Sequence, residues 1–232
     1  MKLLAFETST EACSVAVWND GALTERFEIA PRRHAELALP WAQALLDEAG
    51  LVRAQLDAVA VARGPGAFTG VRLGIALAQG IALALNLPML PVSTLAALAM
   101  RAGGPGRILA AIDARMGEVY AGAFERTDGG VRPLGPEAVS PPDAVALPGA
   151  DEGWQGVGTG FEAMDGALRV HLAPRLAGVE AAELPRAGDV ARLAAQAWAR
   201  GEIVAPERVE PAYLRDNVAL TLEQQQALRA AR

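Results

Sequence analysis

The 232-residue chain is 52% apolar and 21% charged, enough apolar material for a sizeable core and enough length for one large domain or two small ones. Its 27 acidic and 21 basic residues leave it at −6, with a single lysine, Lys2, and scattered arginines, which weighs against a protein that grips nucleic acid alone. No uncharged apolar run reaches the roughly 18–20 residues of a membrane span, Glu7 comes too early for a signal peptide, and a lone Cys13 rules out an internal disulfide framework, so a soluble cytoplasmic protein is expected.

In chain order, residues 3–6 and 13–18 read as short apolar strands around a polar turn, Glu7-Thr8-Ser9-Thr10-Glu11. Asn19-Asp20-Gly21 is a hairpin signal leading to a third strand over 23–29. A helix is expected over 34–49, stopped by Gly50 and kinked or begun in earnest at Pro40. Residues 56–61 form the next buried strand. Arg63-Gly64-Pro65-Gly66-Ala67-Phe68-Thr69-Gly70 then opens a long helix that runs to about Asn86. A short strand over 89–92 and a helix capped by Ser93 or Thr94 complete the first half.

Gly103-Gly104-Pro105-Gly106 marks a boundary, and the chain beyond it resembles the beginning. Residues 108–113 read as a strand ending in a carboxylate, Met116-Gly117 as a turn, and 118–125 as the returning strand. Glu7 and Asp113 each end the first strand of their half, which suggests a duplicated unit. The division is 1–103 for an N-terminal lobe, 104–221 for a C-terminal lobe and 222–232 for a tail. Residues 127–153 are rich in Pro, Gly and Asp and read as loops. Val157-Gly158-Thr159-Gly160 is a strand-end turn, and 189–200 an apolar-periodic helix.

Gly64 and Gly66 precede a helix N-terminus, a geometry that can cradle an anion, although no Walker Lys-Ser/Thr comes after them and a plain tight turn also fits. Gly70 and Gly74, one helical turn apart, allow close approach to a neighbouring element. Three segments resemble the bacterial TsaB (YeaZ) proteins: Glu7 to Ala16; Arg63 to Gly74; and Ala111-Ile112-Asp113-Ala114-Arg115-Met116-Gly117-Glu118-Val119-Tyr120. The turn at Val157 and Pro211-Ala212-Tyr213-Leu214-Arg215-Asp216-Asn217-Val218-Ala219 fit as well.

The resemblance implies the α/β actin, sugar-kinase and Hsp70-like (ASKHA) fold, two duplicated lobes with mixed sheets across a cleft. It also implies a role beside a TsaD-like catalytic subunit and a TsaE-like ATPase. That system transfers threonylcarbamoyl from threonylcarbamoyl-AMP to the adenosine 3′ of the anticodon, in tRNAs reading codons that begin with A. A homodimer in isolation is implied, with tRNA met only through the complex. No cofactor is expected to bind tightly, and a nucleotide at a subunit interface is left open.

TsaD-type catalysts hold a metal with two histidines one helical turn apart and a distant aspartate. Here His34 opens the corresponding helix, but Ala38 stands one turn later, so no metal site and no catalytic residue is expected. His34 reads as a surface or capping residue. The same shortage of ligands weighs against a glycoprotease-like peptidase. A small-molecule kinase or ATPase on this fold is the other alternative. Its glycine-bearing phosphate turn is replaced here by Glu7-Thr8-Ser9-Thr10. The candidate cleft or anion-binding residues are Glu7, Thr8, Gly64, Gly66, Asp113 and Arg115.

On the helix after the glycine-rich turn, at ~100° per residue, Gly70, Leu73, Gly74, Leu77 and Ile81 share a side suited to the protein's own sheet. Arg72, Ala76, Gln79 and Leu83, flanked by Ile75, share the other. That second side is too apolar for solvent and too polar for a core, and is the expected partner interface. Burial beneath a loop of the same chain is the alternative.

Overall fold

The computed structural model describes residues 1–104 and 106–215. The tail expected from residue 222, and the last four residues of the motif that begins at Pro211, lie outside the described residues. The first half contains β1 (Lys2–Glu7), β2 (Ala12–Asn19), β3 (Ala22–Ile29), α1 (His34–Glu48), β4 (Ala58–Ala62), α2 (Phe68–Leu85), β5 (Met89–Val92) and α3 (Thr94–Ala99). The second contains β6 (Arg107–Arg115), β7 (Glu118–Thr127), β8 (Gly130–Pro133), β9 (Ala138–Ser140), β10 (Trp154–Val157), α4 (Ala163–Leu172), β11 (Leu176–Glu180) and α5 (Ala187–Ala199).

The two sheets repeat one topology. The first runs β3-β2-β1-β4-β5 and the second β8-β7-β6-β10-β11, with β9 also on β7. In each, two antiparallel pairings build the leading hairpins and two parallel pairings complete the sheet. Both leading hairpins turn on residues at positive φ, Asp20-Gly21 and Met116-Gly117, which suits the strand twist of a two-residue loop. The duplication read from the sequence is thus a duplication of strand order.

Strand alternation places the cores. In β4, Val59 and Val61 face α1 and α2, while Ala58, Ala60 and Ala62 face α5. The alanine face lets α5 come close, and α5 answers with Ala187, Ala191 and Ala194. Although it comes after β11 in the chain, α5 therefore packs on the first sheet, so residues 187–199 join the N-terminal lobe in space and the division at 103–104 is crossed. On the second sheet, α3 covers one face through Leu95 and Leu98, and α4 covers the other through Leu168 and Leu172.

Three local readings are corrected. Residues 127–153 are not merely loop, because β8 and β9 pair there with β7. They are too short for periodicity to register, and pairing with an existing strand stabilises them. The sequence reading also passed over α4 and β11. Finally, α1 runs on from His34 to Glu48 with Pro40 inside it, giving up the one backbone hydrogen bond that residue 40 would donate to Glu36 O.

Candidate functional site

The lobes enclose a cleft of about 1330 Å³. Its walls come from the β1–β2 turn, the start of α2, the β6–β7 hairpin and residues 211–215. The glycines build the first wall. A Cβ on Gly66 would overlap the Ser9 carbonyl, one on Gly70 the Thr8 carbonyl, and one on Gly74 would lie 2.6 Å from Thr8 Oγ1. Thr8 Oγ1 donates to Gly70 O at 2.8 Å, and Ala67 N donates to Ser9 O at 2.7 Å. The close approach expected of Gly70 and Gly74 is made to the β1–β2 turn of the same chain. Gly64 holds φ +99° beneath the turn, packed on Val71. The glycine-rich turn thus presses on its neighbouring turn, with Gly66 and the first turn of α2 lining the cleft.

The two carboxylates separate. Asp113 lines the cleft, and its oxygens accept from Arg115 N at 2.7 Å and Arg115 Nη1 at 2.8 Å. Glu7 is wholly buried behind Ser9 and Thr10, which line the cleft in its place. Its Oε1 accepts from Ser9 N at 2.6 Å and from Ser9 Oγ, while Oε2 has no partner. Burial pushes its pKa up to about 7, against the pull of the Ser9 bonds. The sequence, which ends both first strands in a carboxylate, did not distinguish these fates.

His34 is buried, not a surface residue. Its Nε2 lies 3.0 Å from both Thr10 O and Ala12 O, so it donates to them and ties the start of α1 to the β1–β2 turn. Among the described residues no group of three or more His, Cys, Asp or Glu side chains could share a metal ion. Cys13 is a core residue whose thiol burial pushes up to about 11, with Glu28 and Glu7 adding to the shift. That holds it as the unreactive thiol.

Helix α2 turns a different face inward than its glycines suggested. The buried stripe is Gly70, Val71, Gly74, Ile75, Ala78 and Ala82. Ile75, expected outside, sits in the core at 5% exposure; of the residues expected inside, Leu77 and Ile81 pack half-buried against that core and Leu73 is half-exposed. The glycines mark one edge of the contact, and the residues that fill it lie further round. Gln79 is covered by its own chain, donating to Pro206 O at 2.8 Å and Val209 O at 3.1 Å. Arg72 donates to Phe68 O at 3.0 Å and Tyr213 Oη at 2.6 Å. Ala76 and Leu83 remain open beside Thr69, Gly80 and Ala84. Leu83 is 60% exposed, and an apolar groove of about 310 Å³ separates this stripe from Leu39 and Gln43 on α1. Helix α2 is long and apolar enough to cross a membrane by composition alone. Its apolarity is accounted for by the sheet on one side and this open stripe on the other.

The sequence reading missed how residues 206–215 bind the lobes together. They lie along α2 through Gln79, reach the glycine-rich turn where Ala212 N donates to Arg63 O at 2.8 Å, and end on the second lobe. There Arg215 pairs with Glu118 and donates to Ala114 O at 3.3 Å.

A duplicated pair of mixed sheets around such a cleft defines the two-lobed α/β class shared by actin, sugar kinases and Hsp70. Within it, a family model described as "TsaD: tRNA N6-adenosine threonylcarbamoyltransferase" matches residues 27–222. A relative from Escherichia coli (strain K12), named tRNA threonylcarbamoyladenosine biosynthesis protein TsaB, is 45% identical over 94% of this chain and 96% of its own. A Haemophilus influenzae protein of the same name is 37% identical over 94% and 95%. The solved structure of YeaZ from Pseudomonas aeruginosa superposes with a TM-score of 0.83 at 46% identity, covering 92% of this chain and 99% of that one. The chain belongs to the TsaB (YeaZ) family.

Proposed function

We propose that this chain is a non-catalytic subunit of the cytoplasmic machinery that makes threonylcarbamoyladenosine in tRNA. In this reading it binds a TsaD-like catalytic subunit and, with a TsaE-like ATPase, supports transfer of threonylcarbamoyl to the adenosine 3′ of the anticodon. The observation that carries it is the open apolar stripe of α2, Ala76, Gly80, Leu83 and Ala84, beside the groove to α1. Small residues let a partner helix approach closely, and Leu83 supplies a side chain for a facing pocket. The same stripe would pair two copies when no partner is present, so homodimer and heterodimer compete for one surface.

The cleft supports a non-catalytic role. Asp113 is engaged by Arg115, Glu7 is beneath the wall, and the glycine-rich turn is committed to Ser9 and Thr8. Any nucleotide in this reading belongs at a subunit interface.

The test is reconstitution of tRNA modification with and without the chain. Leu83→Glu and Ala76→Arg should each fold, by circular dichroism, and each weaken association with the catalytic subunit at least tenfold by light scattering. Threonylcarbamoyl transfer by the chain alone would overturn the non-catalytic role. Normal association of both folded variants would remove α2 from the interface.

A further inference from the structure

The chain carries five Phe, four Trp and two Tyr. Of these only Phe68, at 66%, and Tyr213, at 60%, are largely exposed. Both lie on one guanidinium. The Arg72 Cζ is 3.3 Å from the Phe68 ring centroid and 5.1 Å from that of Tyr213. The hydrogen bonds of Arg72 to Phe68 O and Tyr213 Oη lock the three side chains together. Among the described residues no carboxylate pairs with Arg72, nor with exposed Arg32 on the same cleft wall.

Two aromatic rings are left largely in water, and among the described residues Arg72 and Arg32 beside them make no ion pair. A guanidinium held between rings keeps its charge and its in-plane N–H groups while the outer ring faces stay open. Open rings stack any base, and unpaired arginines meet phosphate.

We propose that Phe68, Arg72 and Tyr213 form a stacking platform for unpaired nucleotides of the tRNA held by the complex, with Arg72 and Arg32 meeting the backbone phosphates. The proposal rests on the function proposed above. It deepens that reading by giving this subunit a direct contact with the RNA, too small to hold tRNA without the catalytic partner. An acidic protein segment would satisfy Arg72 but leave both ring faces unused.

The test uses the full-length chain, the reconstituted complex and a tRNA transcript carrying 4-thiouridine in the anticodon loop. Wild type is compared with the Phe68→Ala/Tyr213→Ala double variant and with Tyr213→Phe. Stacking of one or two bases on the rings predicts a KM for tRNA raised about 5- to 100-fold in the double variant. Its kcat at saturating tRNA should stay within about twofold. Tyr213→Phe, which keeps the ring but loses the bond to Arg72, should raise KM less than the double variant does, and photocrosslinks to the wild-type chain should vanish in the double variant. An unchanged KM in a folded double variant beside full wild-type activity refutes the platform alone. Loss of association with the catalytic subunit by light scattering would refute it too, assigning the patch to a protein contact. Failure of the wild-type chain to support modification at all would instead refute the function.

Discussion

Replacing Glu7 with Gln should remove a pH dependence of stability that the wild type carries. The carboxylate is wholly buried, bonded only through Oε1 to Ser9, and its pKa stands at about 7 against 4.5 for the free group. Unfolding lets it ionise at the lower value. Below pH 4.5 it is neutral in both states and has no effect. Between 4.5 and about 7 the native state holds the proton that the unfolded chain releases, so stability falls as pH rises. Above about 7 the native state must ionise the buried group, and the penalty levels off. With ~1.4 kcal/mol per pKa unit, the wild type should lose about 2–3 kcal/mol relative to Glu7→Gln between pH 5 and pH 8. The comparison cancels Glu137 and Asp189, whose pKa values burial also raises. Urea unfolding of both proteins at the two pH values reads it directly. A difference that stays constant across pH would mean that water or a counter-charge reaches Oε2 and that Glu7 titrates normally.

Much of this fold was open to reading because its sequence features act locally. The hairpin at Asp20-Gly21 needs only two residues that tolerate positive φ, and β2 beside it is a continuous apolar run buried on both faces. The glycine-rich turn and the two spaced glycines of α2 signalled close approach, and Thr8 and Ser9 are what they approach. The site was less legible because its decisive contacts are distant in sequence. Nothing local shows that Gln79 will be claimed by Pro206 and Val209, or that Tyr213 will settle on Arg72. The inward face of α2 was misplaced because glycines were taken as its centre, whereas Ile75, Ala78 and Ala82 fill the space against the sheet. Likewise, Glu7 and Asp113 hold like places in sequence, yet the first is covered by its own turn and the second is not.

The glycines make a graded prediction. Gly70→Ala drives a Cβ into the immobile Thr8 carbonyl and should cost more than about 2 kcal/mol despite its better helix propensity. Gly74→Ala meets only Thr8 Oγ1, which can rotate at the expense of one hydrogen bond, so its cost in thermal unfolding should be smaller, about 1 kcal/mol. Asp113→Asn, in a cleft proposed to be non-catalytic, should keep reconstituted modification within a few-fold of wild type; a folded variant down a hundredfold would make Asp113 a working acid or base. The last prediction concerns residues 206–215, which fasten the first lobe to the second across the cleft mouth. Arg215 is the distal fastening, its side chain 18% exposed and paired with Glu118 at 31%. Arg215→Ala leaves Glu118 and the Ala114 carbonyl to water and releases the strap from the β6–β7 hairpin. Because the pair is only half-buried, global stability should fall by no more than about 1–2 kcal/mol. The local effect should be larger than the global one. Amide exchange should quicken at Ala212, whose N–H is bonded to Arg63 O, and across the hairpin turn at Met116, while the amides of β4 keep their protection. Equal acceleration in β4 would mean that the variant loosens the whole fold, and unchanged exchange at Ala212 would mean that the strap is held from the first lobe alone.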